Sequence, residues 1–365
     1  MTKHGEVAKV SSHLHDYSCP GFFGRFDISG VVRMLIAVDA MGGDYAPREV
    51  IKGTVEAARE FPIDIALVGN KPVLEMLLRR YSKKLNVSII EASQVVEHDE
   101  DPVQGVQSKP DSSLCIGVRL VRDGIADGFV SAGSTGAVVV ASFLNLKMVA
   151  GIERVAVCAV AYLNQPQPSL IIDCGVNVNC RPIFLVQFAQ LASILAEKVI
   201  GISSPRVGLL NVGEEELKGN TLVKETYQLL KKTDLNFIGN IEGFDVLQGK
   251  ADVIVTDGFT GNVLVKTIEG YSQVIQSLLE MGQAARIDRY LTGTALAQYV
   301  QLTSTVKNLD YKEYGGVCLL GLEGNIVIAH GRSRAKAITS AIYMAYHAAN
   351  QGIVEAVKNG CYASE

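Results

Sequence analysis

Short apolar runs alternate with helix-patterned stretches along this chain, and that alternation limits what it can fold into more than any other feature. Apolar runs occupy 35–40, 63–69, 85–92, 128–133, 155–163, 169–174, 206–212, 235–239 and 252–256. Helical spacing fills 48–60, 72–82, 111–123, 135–148, 184–198, 220–232 and 332–350. A strand that is apolar at nearly every position is buried on both faces, and helices between such strands cross over the sheet. The pattern therefore predicts a mostly parallel α/β sheet flanked by helices on both sides. Near the end, 317–322 and 326–330 flank Glu323-Gly324-Asn325 and read as an antiparallel hairpin, a local exception to the parallel scheme.

The pattern starts abruptly at Met34. Residues 1–33 show no sustained periodicity and are expected to be a disordered extension, with 34–350 as one large α/β unit and 351–365 as a C-terminal tail. All ten prolines lie at or before Pro205, which leaves 263–300 free to be helical. Leu264, Ile268, Tyr271, Ile275, Leu278 and Leu279 recur there at three- and four-residue steps. After Gly282 a second stretch carries Ile287, Tyr290, Leu291, Leu296, Tyr299 and Val300. The segment reads as a projecting helical hairpin whose apolar residues serve core or dimer packing, or a partner or membrane surface.

Composition removes several classes. At 48% hydrophobic and 20% charged the chain is too apolar for a disordered protein. A net charge of −4 with no basic block argues against a nucleic-acid partner, which needs clustered Lys and Arg to displace counterions. Seven scattered cysteines form no CxxC or Cys/His cluster, so neither a metal site, a disulfide framework nor a bound cofactor is expected. No run reaches the ~18 apolar residues of a spanning helix, and 1–33 lacks the apolar centre of a signal peptide. A cytoplasmic enzyme or binding protein is the expectation.

In a parallel sheet, ligands sit beyond the carboxyl ends of the strands, where loops enter helices. Gly, Asn, Asp, Ser and Thr gather at those points, and five such loops are expected on one edge around a phosphate-sized cleft. The first loop offers Asp39, Gly42, Gly43 and Asp44; the second, Ser134, Thr135 and Gly136; the third, Asn177. The fourth offers Lys218 and Asn220, and the fifth Asp257, Thr260, Gly261 and Asn262. Glycine lets the backbone approach a ligand closely, and free N–H groups at a helix start attract an anion. Lys218 reads as a point charge for phosphate or as a surface lysine. Asn262 reads as a donor to a carbonyl or phosphate oxygen, or as a plain helix cap. Ser134 reads as a cap or anion-binding hydroxyl, not a nucleophile, because no G-x-S-x-G turn surrounds it. His330, closing a strand beside Gly331-Arg332-Ser333, reads as a site residue or a capping one. No phosphate-loop G-x-x-x-x-G-K-[ST] and no helix-opening G-x-G-x-x-G is present.

The run 36–47, Ile-Ala-Val-Asp-Ala-Met-Gly-Gly-Asp-Tyr-Ala-Pro, closely resembles the opening of the bacterial phosphate acyltransferases, the PlsX family. The likeness continues, in the family's order, through 131–137, 173–177, 206–213, Lys218-Gly219-Asn220, 237–240, 252–262, Tyr314-Gly315-Gly316 and Ala329-His330-Gly331. The resemblance implies transfer of a long-chain acyl group from acyl carrier protein to inorganic phosphate, giving acyl phosphate for phospholipid synthesis. It implies a fold like that of the isocitrate and isopropylmalate dehydrogenases and phosphotransacetylases, a homodimer, and a cytoplasmic enzyme that associates peripherally with membrane. It places Lys218, as phosphate holder, and Asn262, orienting the carbonyl, at the active centre. Ser134 stands where the family more usually has Asn, and Ile183-Phe184 where it has Glu-His, while Arg181 keeps a positive charge nearby. The competing readings are a phosphotransacetylase-like enzyme using acyl-coenzyme A, and a non-catalytic membrane organiser of lipid enzymes.

Overall fold

Each of the apolar runs overlaps a strand. The structure, a computed structural model, describes residues 33–81, 85–161, 167–284 and 316–360. The chain runs β1 (Met34–Asp39), α1 (Arg48–Glu60), β2 (Ile63–Gly69), α2 (Lys71–Leu78), β3 (Val87–Glu91), α3 (Pro102–Ser108), α4 (Ser113–Arg122), β4 (Gly128–Ser131) and α5 (Thr135–Asn145). It continues through β5 (Ala156–Ala161), β6 (Ser169–Ile172), α6 (Pro182–Leu195), β7 (Val207–Leu210), α7 (Thr221–Leu230), β8 (Phe237–Ile241), α8 (Gly243–Gln248) and β9 (Val253–Val255). It closes with α9 (Gly258–Ala284), β10 (Val317–Leu320), β11 (Asn325–Ile328), α10 (Ala335–Asn350) and α11 (Ile353–Gly360). The extension expected up to residue 32 and the second arm expected at 285–300 lie outside the described residues.

Three helices were not anticipated. α3 has no apolar period, but Asp101 caps it, accepting from the amides of Val103 at 3.0 Å and Gln104 at 2.9 Å, and Pro102 follows at its first position. α8 spans only six residues and starts with a reciprocal capping box between Glu242 and Asp245. α11 corrects the reading of 351–365 as a tail: Ile353 and Val357, one turn apart, are buried and the helix packs on α6.

The strands form one sheet in the order β3-β2-β1-β4-β11-β10-β5-β6-β9-β7-β8. Seven of its ten pairings are parallel, as expected of a mostly parallel α/β sheet. The three antiparallel ones, β11–β10, β10–β5 and β5–β6, lie together in the middle. An odd number of reversals turns the sheet over in direction, so the wing β3-β2-β1-β4-β11 runs opposite to the wing β6-β9-β7-β8. This corrects the expectation of five loops on one edge. Loops after β1, β4 and β11 leave from one edge, and loops after β6, β7 and β9 from the other.

One apolar core joins the two wings. It takes Ile36 and Leu67 from the first wing, Leu170 and Val255 from the second, and Leu185, Phe188 and Leu191 from α6. α6 with its following π turn, Ala196–Ile200, is long and apolar enough to cross a membrane. Its apolar surface is spent on packing instead, with Phe188, Leu191 and Leu195 fully buried. Each such side chain contributes roughly 1.5–3 kcal/mol by leaving water.

Candidate active site

Two buried aspartates organise the loops, one in each wing. Asp39, ending β1, accepts from the amides of Met41 and Gly42, both at 3.1 Å, and from the Ser131 hydroxyl at 2.7 Å. Ser131 Oγ in turn accepts from Gly133 N at 3.0 Å, and Asp44 N donates to Gly331 O at 2.8 Å. Burial pushes the Asp39 carboxyl up, against the opposing pull of Ser113, Ser131 and the two amides. Asp39, Gly42, Gly43 and Asp44 thus hold the first wing's loops to one another and are not among the cavity-lining residues described below.

Asp173 does the same in the second wing. Its carboxylate accepts from Val157 N at 3.0 Å, Val176 N at 3.3 Å, Asn177 N at 2.6 Å and the Asn177 side-chain amide at 2.8 Å. Asn177 also donates to Val155 O at 2.8 Å, so its amide is spent on the scaffold. The first turn of α9 lies backbone to backbone on this loop. A Cβ on Gly261 would sit 1.9 Å from Asp173 O, so only glycine fits there. Asp257 caps the helix, accepting from Thr260 N at 2.9 Å and Thr260 Oγ1 at 2.7 Å.

A cavity of about 590 Å³ lies over the central strands, which are only four to six residues long. At ~3.3 Å per residue these strands span roughly 13–20 Å, and loops from both edges reach the cavity. The first wing contributes Thr135, Gly136 and His330; the second contributes Gly175 and Asn262. α9 connects them. Asn262, Lys266 and Glu269 follow one stripe at i, i+4 and i+7, about 10 Å along the helix. Asn262 packs where Gly175 leaves room: a Cβ there would lie 2.8 Å from its side-chain nitrogen. Further along, Lys266 Nζ lies 2.8 Å from Glu269 Oε2 and 3.3 Å from His330 Nε2.

The His330 ring is neutral at pH 7, because burial and then the neighbouring Lys266 hold it below the ordinary imidazole range, outweighing Glu269. Its Nδ1 lies 3.1 Å from Arg332 N, and its Nε2 lies 3.3 Å from the Lys266 ammonium and 3.9 Å from Glu269 Oε2. The Lys266 ammonium, paired with Glu269, and the His330 ring line the same cavity as Asn262, an arrangement that suits an anionic or carbonyl oxygen. Cys174 also lines the cavity, but burial pushes its thiol far up and Sγ donates to Ile171 O at 3.1 Å, so it is no thiolate nucleophile.

The remaining candidates stand elsewhere. Lys218 sits on the exposed loop after β7, where Asn211 donates to its carbonyl at 3.2 Å, and it is not a lining residue. Asn220 caps α7 through Val223 N at 3.0 Å. Ser134 occupies the cap position of α5 without a side-chain capping bond. Arg181 pairs with Glu153 and stacks over the Phe184 ring at 4.5 Å. Among the described residues no group of three His, Cys, Asp or Glu side chains is placed to hold a metal ion.

Residues 34–356 match the family described as fatty acid synthesis protein. A phosphate acyltransferase of Dehalococcoides mccartyi is 49% identical over 320 residues, 88% of this chain and 92% of that one. One from Desulfitobacterium hafniense is 45% identical, over 89% of this chain and 96% of its own. The chain belongs to this fatty acid synthesis protein family. Among solved structures, a phosphotransacetylase from Streptococcus pyogenes superposes with a TM-score of 0.59 at 18% identity, covering 90% of this chain and 97% of that one. The EutD phosphotransacetylase of Staphylococcus aureus gives 0.56 at 16% identity, covering 87% and 94%. Family membership bears out the resemblance read from the loops, and the structural likeness bears out the α/β fold.

Within this family member, sequence reasoning missed Lys266 and Glu269. Their only signal was a spacing of four and seven residues from Asn262 along one helix, a spacing that otherwise passes for a solvated face.

Proposed function

We propose that this chain transfers a fatty acyl group from acyl carrier protein to inorganic phosphate, giving acyl phosphate for phospholipid synthesis. The juxtaposition of Asn262, Lys266 and His330 in a largely apolar cavity carries this reading, within a family whose relatives bear the name phosphate acyltransferase. A phosphate oxygen forms the new C–O bond, the thioester carbonyl passes through a tetrahedral oxyanion, and the C–S bond breaks with its electron pair leaving on sulfur. A thiolate leaves readily, so no strong general acid and no covalent acyl-enzyme is needed. What the reaction requires is phosphate held against the carbonyl and donors fixed where the oxyanion forms. Asn262 supplies such a donor, and Lys266, one turn along the same helix, adds a cation beside the His330 ring. Lys218 as phosphate holder rests on the family resemblance. A homodimer in the cytoplasm, touching membrane through the outer part of α9, belongs to the same proposal.

The test is incubation of the purified protein with palmitoyl-loaded carrier protein and phosphate, trapping acyl phosphate as its hydroxamate with hydroxylamine. Phosphate-dependent hydroxamate is expected. Faster turnover with palmitoyl-coenzyme A would reassign the donor, and no product with either thioester would sink the proposal.

A further inference from the structure

The first turn of α5 borders the cavity with unpaired backbone donors. Ser134 stands at its cap position without a side-chain hydrogen bond, and no acidic residue lies in the turn. Among the described residues no acceptor meets the amides of Thr135, Gly136 and Ala137, donors that a helix start leaves open. Thr135 and Gly136 line the cavity, and a Cβ at Gly136 would lie 2.9 Å from Pro102 Cγ, so the turn meets its neighbour as bare backbone. The positive end of the helix dipole is uncompensated at this point.

A second observation comes from the neighbouring strand. Ser333, in the loop beyond β11, is 4% exposed and lines the same cavity. Among the described residues its hydroxyl has no hydrogen-bond partner, and it is not one of the side-chain oxygens cut off from solvent. The surface it keeps therefore opens on the cavity. A hydroxyl so buried costs stability unless something bonds it. Ala329 N donates to Ser131 O at 2.8 Å, so the loops that carry Ser333 and the start of α5 leave one edge side by side. The charged side chains among the described lining residues, Lys266 and Glu269, pair at 2.8 Å and bring little net charge, and Lys218 is not a lining residue. An anion entering the cavity finds its uncompensated positive potential at α5.

We propose that the phosphate nucleophile is held here, its oxygens accepting from the Thr135 and Gly136 amides and from the Ser333 hydroxyl. The inference rests on the acyl-transfer reading and names the residues that bind its phosphate. Hydrogen bonds to an ionised oxygen are shorter and stronger than neutral ones. Donors gathered on one side of a tetrahedral anion leave an oxygen on the other side free to form the new C–O bond. Ser333 is a ligand of the nucleophile, and no group is transferred to it.

The test follows phosphate in two ways on the full chain: calorimetric titration with inorganic phosphate, and the KM for phosphate in the hydroxamate assay. Ser333→Ala is expected to weaken phosphate about tenfold in both. The KM for the acyl thioester should not move, nor the thermal midpoint, because no internal hydrogen bond is lost. Proline is tolerated at the first position of a helix and removes the amide proton there, so Thr135→Pro should bind phosphate about tenfold more weakly than Thr135→Ala, which keeps that amide. This pair carries the test if Ser333→Ala fails to fold. Unchanged phosphate affinity and KM in the folded variants overturn the subsite. A rise confined to the thioester KM overturns it too, assigning the turn to the thioester donor. The two readings fail separately. Phosphate binding that these variants weaken, without acyl phosphate formation, leaves the subsite and removes the acyl-transfer reading. Acyl phosphate formation with the same phosphate KM in every variant removes the subsite alone, and no phosphate signal in either assay removes both.

Discussion

Asp39 and Asp173 hold similar places in the two wings, Asp39 ending β1 and Asp173 directly following β6, each collecting amides from the loop that follows. From sequence, an Asp in a Gly-rich loop reads as a ligand; burial and short-range amides make these two scaffold. The cavity is lined instead by side chains that keep some exposure, among them Asn262, Lys266 and His330. His330 carries a pH prediction. The unfolded chain takes up the ring proton near the ordinary value of about 6.5, whereas the folded one takes it up at lower pH because of burial and Lys266. Stability linked to His330 is therefore whole above about 6.5 and falls as the pH drops through the folded value. Protonation also places a second donor against Arg332 N–H. The turnover rate should show an acid limb below about 6.5, and His330→Gln should lack that limb. A pH–rate profile with the same limb in both proteins would remove His330 from the site.

Among the elements, α9 changes role along its length. Its first half forms a wall of the cavity through Asn262, Val265, Lys266, Ile268 and Glu269. Further along the helix, Tyr271, Val274, Leu278 and Met281, at 57–69% exposure, recur at helical spacing as an apolar stripe. Burying a leucine is worth roughly 1.5–3 kcal/mol, so Leu278→Glu should weaken binding to anionic lipid vesicles by at least tenfold and leave hydroxamate formation with soluble substrates intact. Vesicle flotation and sedimentation velocity read the two possibilities. Loss of a dimer with vesicle binding retained would assign the stripe to subunit packing instead. The strand positions and the larger helices were legible because burial on both faces, or on one, repeats along the chain. α3 and α8 were not, since six or seven residues hold too few turns for a period to emerge.

Over the whole molecule, two oppositely directed wings share one sheet and one core. Residues from both, such as Ile36 and Val255, belong to the same buried cluster, bridged by α6 and α10. The second wing adds a smaller buried cluster of its own, Ile171, Ile241, Val246, Ala251 and Ile254. Because the larger core is shared, the body should unfold in a single transition, with coincident midpoints in far-UV circular dichroism and in the fluorescence of its tyrosines, in a chain that has no tryptophan. Two separated urea transitions would show that the wings are independent folding units. The centre of the sheet explains why one cavity draws on both edges: only four to six residues of strand separate them, and α9 crosses that distance.

By itself, the sequence determined the strands, the α/β class, the family and the catalytic candidate Asn262, because local burial patterns and loop residues are written in consecutive positions. Tertiary structure alone decided which loops share a cavity. Of the three antiparallel pairings at the centre that reverse one wing, the β10–β11 hairpin was legible locally, but β10–β5 joins residues far apart in the chain, which no local pattern encodes. The same pairings align Ile328, Val317, Ala159 and Ile171, four residues drawn from two distant segments, on one face of the sheet.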